Sequence, residues 1–153
     1  MPTPIAAPKR GALPSPRSVL ATATPFVADA RLGAPPEYIV IPPQISMWGN
    51  YVHGDCVTAE EAFAKACYQP EIFITDGEVI NWATRHGVLE GAFINQVLDW
   101  MVNDGFQQDG QTYNDGGKRS VDWNNASILK DAISQGPVTV SYTHLTLPTI
   151  LRV

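Results

Sequence analysis

The chain has 153 residues, 44% of them hydrophobic and 16% charged, with a net charge of −5, two cysteines and three histidines. That length suits one domain with a core burying about two thirds of the unfolded surface. The same figures exclude a disulfide-rich scaffold and argue against both a multi-histidine zinc site and a non-specific nucleic-acid surface, and no apolar run approaches the roughly 18 residues that span a bilayer.

Charge and proline divide the chain. Ten of the 13 prolines fall between Pro2 and Pro43. Residues 1–34 carry a net charge of +3, and residues 35–153 a net charge of −8. The first stretch, rich in Pro, Ala, Ser and Thr, has too little apolar periodicity to offset its ordering entropy, so it reads as a flexible or extended arm. Prolines interrupt every candidate apolar core of a signal peptide, which needs roughly 7–15 unbroken residues. A basic, nearly acid-free arm leaves an organellar transit peptide as the alternative, and a cytoplasmic location remains open.

Order is expected from about Pro35. Tyr38, Ile39, Val40 and Ile41 are strand formers, stopped by Pro42 and Pro43. A loop runs from Gln44 to Asp55, punctuated by Gly49 and Gly54. The spacing of Ala59, Ala62, Phe63 and Ala66 predicts a helix over Cys56–Tyr68. Thr75, with Glu78 three residues on, marks the start of a second helix that Gly87 ends. A third, over Ala92–Asn103, buries Phe93, Ile94, Val97, Leu98, Met101 and Val102, and Gly105 closes it. The polar, glycine-rich run QQDGQTYNDGGKRS (residues 107–120) reads as a surface loop. A fourth helix follows over Asn125–Gln135, and Val138 begins a strand.

Cys56 is the residue best placed for chemistry. It opens a helix, whose unpaired N–H groups and partial positive charge favour a thiolate and can hold an oxyanion. The plain alternative is a small buried thiol. Cys67 lies three helical turns away, about 16 Å at 1.5 Å per residue, too far for a disulfide, and reads as core. Asn50 could donate to an oxyanion beside Cys56. His53, Asp55 and Cys56 are too close in sequence to converge on a metal. His86, at a helix C-terminus, reads as a capping or surface residue.

The order of these features resembles the papain-like cysteine peptidases. GNYVHGDCVTAEEAFAKA, from Gly49 to Ala66, is similar to the family's nucleophile segment, with Asn50 in the place of its glutamine, Gly54 in that of a glycine and Cys56 in that of the nucleophile. ITDGEVINWA resembles the family's LSEQELLDC stretch. Gly91–Ala92 stands where a substrate-binding glycine pair stands, Asp104–Gly105–Phe106 ends the next helix as in the family, and Gly136–Pro137–Val138 resembles the strand before the catalytic histidine. The resemblance covers residues 35–139. It implies an α+β fold, here the mainly helical half plus the start of the β half. It also implies a Cys56 nucleophile with Asn50 at the oxyanion, and Gly54, Asp55, Gly91 and Ala92 around a peptide or protein substrate. Neither metal nor other cofactor is implied, and neither nucleic acid nor membrane is an expected partner.

The chain departs from the pattern at several places. Asn50 is one methylene shorter than glutamine, Val57 replaces a tryptophan, and Ala92 replaces a glycine. Asp55 puts a carboxylate beside the thiol, which opposes thiolate formation if charged. The positions of the family's early disulfide hold His53 and Leu89, which suits a reducing compartment or a divergent branch. Val140–Thr149, VSYTHLTLPT, is similar to the translation of a transposase adapter used in sequencing libraries. On that reading residues 140–153 are a non-native tail, and His144 is no candidate base. The family's histidine and asparagine would then be missing. The expectation is a fragment that lacks peptidase activity although its parent would hydrolyse peptide bonds. A non-catalytic papain-like binding domain is the alternative, and an acyl or amide transferase on the same fold is a third reading.

Overall fold

The computed structural model describes residues 11–28 and 40–139. Among them, five helices and two two-stranded sheets make a mixed α+β architecture.

The central helix, α2 (Cys56–Ala66), has the sequence CVTAEEAFAKA. Alanine loses no side-chain entropy in a helix, and four alanines let neighbouring elements come close. Val57, Ala59, Ala62 and Ala66 face the core. α3 (Asp76–Arg85) starts at Thr75, whose hydroxyl accepts the Glu78 N–H at 3.3 Å. The second half of the predicted capping box is not formed. The Glu78 carboxylate accepts the Gln107 N–H at 3.2 Å, and the Thr75 N–H goes to the Gln108 side-chain oxygen at 2.8 Å. At its other end, Gly87 takes φ +68°. Gly87 N–H then bonds to Thr84 O and Val88 N–H to Ala83 O, the paired closure that a left-handed residue permits.

The third predicted helix is shorter than its pattern. Ala92–Phe93 forms a strand, β2, and α4 runs over Ile94–Asn103. The reason lies far away in sequence. Ala12–Leu13, called β1, pairs in parallel with it, Ala12 opposite Ala92 and Leu13 opposite Phe93. The arm is therefore not free along its whole length. It continues through a one-turn helix, α1 (Arg17–Leu20), to residues 24–26, where Phe26 N–H bonds to Ser120 O at 2.8 Å and Ser120 N–H to Thr24 O at 2.9 Å.

The polar run after α4 is not a plain loop. Phe106–Gln108 (β3) and Gln111–Tyr113 (β4) form an antiparallel hairpin. Asp109 and Gly110 both have positive φ, 53° and 76°, which is the two-residue turn that matches strand twist. Gly105 makes the return possible, because a Cβ there would stand 2.1 Å from Tyr113 O. The last helix, α5 (Ala126–Gln135), is capped by Asn125, whose side-chain oxygen accepts from Ser127 N and Ile128 N.

Trp82 of α3 is fully buried at the centre of the core. Its indole N–H reaches Asp104 O at 2.7 Å, and Phe106 and Trp100 meet it edge-on. Ile74, Val79, Val97 and Met101 complete the surroundings. Trp48 closes the core on the other side, its indole N–H on Ile74 O at 2.7 Å.

Two predicted strands are not formed where they can be seen. Val40 and Ile41 are irregular, and Ile41 is 79% exposed; two prolines follow, and among the described residues no strand pairs with them. Tyr38 and Ile39 lie outside the described residues. Pro137–Thr139 is irregular as well, and the remainder of that predicted strand, with the proposed tail and His144, lies outside the described residues.

Candidate functional site

Consecutive turns over residues 47–54 bring the chain to the start of α2. Asn50 N–H bonds to Met47 O at 2.9 Å, and His53 N–H to Gly49 O at 3.0 Å. Gly49, at φ +91°, lets the backbone reverse. Cys56 is the first residue of α2 and is half-buried, a free thiol.

Cys56 and Asn50 line one shallow, open cleft of about 210 Å³. Its walls are largely apolar, with Ile45, Met47, Trp48, Ala59 and Phe63, and Glu60 adds a carboxylate. Two residues that the sequence placed together are thus together in space. The N–H groups of the first turn of α2 supply the partial positive charge that any helix start carries.

Gly54, two residues before Cys56, lies against Glu90, which precedes the Gly91–Ala92 pair. A Cβ on Gly54 would lie 3.0 Å from Glu90 O, a tight contact that a side chain would meet only if the Glu90 backbone gave way by a few tenths of an ångström. Gly91 adopts φ +151° and donates to Val88 O at 3.3 Å. Both glycines also face the arm. A Cβ on Gly11 would collide with Gly54 O at 1.6 Å, and Gly11 O accepts the Ala92 N–H at 2.6 Å.

Asp55 is a correction to the sequence reading. It was expected beside a substrate, and it is 1% exposed, with neither carboxylate oxygen hydrogen-bonded. It stands at the N-cap position of α2 without capping it, and its Oδ2 would lie 2.9 Å from a Cβ on Gly49. Burial raises its carboxyl above the ordinary aspartate range, against the smaller opposing pulls of its own backbone N–H and of His53. A carboxyl held towards its neutral form opposes a neighbouring thiolate less than a charged one.

The two histidines among the described residues are engaged elsewhere. His53 Nδ1 is 3.1 Å from Glu90 Oε1. His86 lies between two acceptors, Nδ1 2.9 Å from Trp82 O and Nε2 2.9 Å from Asp104 Oδ2, with its ring stacked 3.8 Å from that of Trp82. Helix capping, the sequence reading of His86, agrees with this place. Cys67, read as core, is half-buried at the C-cap of α2, and burial pushes its thiol up.

Sequence reasoning missed a second cluster. Glu61 and Lys65 of α2 are both buried, and Lys65 makes an ion pair with Asp115. Burial, then a hydrogen bond to Asp115, pushes the Glu61 carboxyl up to about 9. The four-residue spacing on one helix was the available signal, but it reads as a solvated pair unless the partner Asp115 is known. Among the described residues no group of three or more His, Cys, Asp or Glu side chains could hold a metal, and no helix is long and apolar enough to cross a membrane.

Compared with known proteins, the chain matches no family model, no curated protein and no solved structure.

Proposed function

We propose that this chain carries the nucleophile-bearing, mainly helical half of a papain-like cysteine peptidase site. The observation that carries the reading is the placement of Cys56 as first residue of α2, on the wall of the same cleft as Asn50. The Cys56 thiolate attacks an acyl carbonyl, and the oxyanion forms between the Asn50 amide and the Cys56 N–H. Gly54 and the edge at Gly91–Ala92 hold an extended peptide backbone.

An amide leaving group needs a proton as it departs. Neither His53 nor His86 lines the cleft that Cys56 and Asn50 share, so peptide cleavage by this chain is expected to be undetectable. An activated ester needs no such proton, which makes it the right probe. With p-nitrophenyl acetate, the thiolate attacks the acetyl carbonyl, a thioester forms and p-nitrophenolate leaves. The expected result is one acetyl group per chain, on Cys56, and none on Cys67. Asn50→Ala should slow that step tenfold or more, as loss of an oxyanion donor does elsewhere. Equal acetylation of both thiols, or efficient Cys56-dependent peptide cleavage, would overturn the reading.

A second reading is a non-catalytic papain-like peptide-binding domain. It is supported by the strand pairing at Ala92–Phe93, an edge that here carries the chain's own Ala12 and Leu13. Absence of any Cys56 acylation together with peptide binding would select it.

A further inference from the structure

We propose that Asp55 is a positioning residue for Cys56: its carboxyl leaves the start of α2 uncapped while neutral, and caps it through Thr58 once ionised. That Cys56 is a nucleophile rests on the peptidase reading. The link between carboxyl and thiol rests on the geometry of the helix start.

Two orphaned polar side chains belong to that start. Asp55 is the N-cap residue of α2, and Thr58 is the third residue of the helix. Both are buried, and neither the two Asp55 carboxyl oxygens nor the Thr58 hydroxyl has a hydrogen-bond partner. These are the two positions that a capping box joins: the N-cap oxygen accepts the N–H three residues on, and the side chain there reaches back. The bond is not made because the backbone is not set for it. Thr75 and Asn125, which cap α3 and α5, are extended at ψ 151° and 103°, whereas Asp55 has ψ 26°. Its carboxyl instead lies against Gly49, where a Cβ would stand 2.9 Å from Oδ2. Gly49 precedes Asn50 and Asp55 precedes Cys56, so the carboxyl joins the two segments of the candidate site without lining its cleft.

A neutral carboxyl tolerates this place better than a charged one, because an unpaired buried charge costs far more than an unpaired neutral group. Burial is the largest influence on Asp55 and favours the neutral form, as do Glu90 ahead of β2 and Asp76 at the start of α3. The Asp55 N–H and His53 in its own loop favour the charge. Once ionised, the carboxylate needs donors. A turn of the Asp55 backbone to the capping conformation offers it the Thr58 N–H, which has no partner within the helix, and the Thr58 hydroxyl. The helix start then serves one anion at a time. Its N–H groups and partial positive charge favour a Cys56 thiolate while Asp55 is neutral, and a capping carboxylate takes them up. A charged Asp55 also opposes the adjacent thiolate directly.

Iodoacetamide tests the link, since the thiolate displaces iodide and each cysteine can be followed separately by mass spectrometry. The full chain is alkylated between pH 5 and 10. Asp55→Asn keeps the shape without the charge. In it the Cys56 rate should reach half its maximum about one pH unit lower than in the unsubstituted chain, about tenfold in thiolate fraction at a given pH below that point. Cys67, at the far end of α2, should react alike in both. Thr58→Val removes the hydroxyl donor, so the Cys56 profile should move the same way by a smaller amount, and no further when the change is added to Asp55→Asn. In the unsubstituted chain, NMR should show the Thr58 amide proton moving downfield in step with the Asp55 carboxyl carbon as pH rises. Coincident Cys56 profiles in the unsubstituted and Asp55→Asn chains, or a Thr58 amide that ignores the carboxyl's titration, would overturn the proposal. Acetylation by p-nitrophenyl acetate keeps the two readings apart. A Cys56 profile that moves with Asp55→Asn, without acetyl transfer, would keep the switch and remove the peptidase reading; acetylation of Cys56 with coincident profiles would do the reverse.

Discussion

A single carboxyl decides how the surroundings of Cys56 are understood. From sequence, Asp55 is an anion beside a thiol. In the fold it is buried without a partner, and burial raises its carboxyl. The folded chain then binds a proton that the unfolded chain has released, so stability is full below the unfolded value of 3.8 and is lost as pH rises through the raised folded value. Asp55→Asn keeps the shape and removes the titration. It should leave stability almost unchanged at pH 3.5 and raise it at pH 7 by about 1 kcal/mol, the lower end of what an unpaired buried polar group costs. Thermal midpoints of the two chains across that range test this; equal slopes with pH would show that the carboxyl is solvated in solution.

At the scale of elements, legibility followed range. The predicted helices are present because their signals are local: alanine content in α2, the Thr75 cap and Gly87 stop of α3, the apolar spacing of α4, and Asn125 before α5. The strands were missed because each is two or three residues long, below the span at which alternation can be read. Asp109–Gly110 was a local hairpin signal, but Asp115–Gly116 in the same polar, glycine-rich run offered another, so neither was singled out. β1 and β2 exist only through each other, 80 residues apart in register, and no local pattern announces such a pair. In the candidate site, Cys56 and Asn50 were legible from their loop-then-helix setting. The burial of Asp55 and the seating of Gly11 were not, since both depend on segments brought in from elsewhere. The hairpin also permits a sharp test. Gly105→Ala places a methyl 2.1 Å from Tyr113 O, against backbone that cannot rotate away. A loss of about 2 kcal/mol or more is expected in urea unfolding, in the range of overpacked sites. Gly116→Ala, which meets nothing within 4 Å, should change stability by less than about 0.5 kcal/mol.

Across the whole molecule, the segment from Asn114 to Ser120 acts as a clasp. Asp115 takes Lys65 of α2, Asn114 donates to Val102 O of α4, Lys118 pairs with Asp99 and bonds to Asn95 O of α4, and Ser120 holds the arm at residues 24–26. The charge balance of its buried end depends on a proton. With Glu61 neutral, Lys65 and Asp115 cancel; with Glu61 ionised, two carboxylates share one ammonium, Glu61 and Lys65 being buried and Asp115 partly exposed. The folded Glu61 carboxyl is raised from 4.5 to about 9, so the stability it confers is complete below 4.5 and is lost as pH climbs through about 9. Above that pH the clasp should loosen from α2 first, and with it the second fastening of the arm. Glu61→Gln retains a neutral hydrogen-bonding side chain of the same size at every pH. Its unfolding midpoint should therefore stay level between pH 7.5 and 10, while that of the unsubstituted chain falls. Amide exchange, corrected for intrinsic pH dependence, should rise over 114–120 and 24–26 in the unsubstituted chain alone. Parallel decline of both chains would mean that Glu61 is already ionised in the fold, and that the clasp closes on a net negative charge.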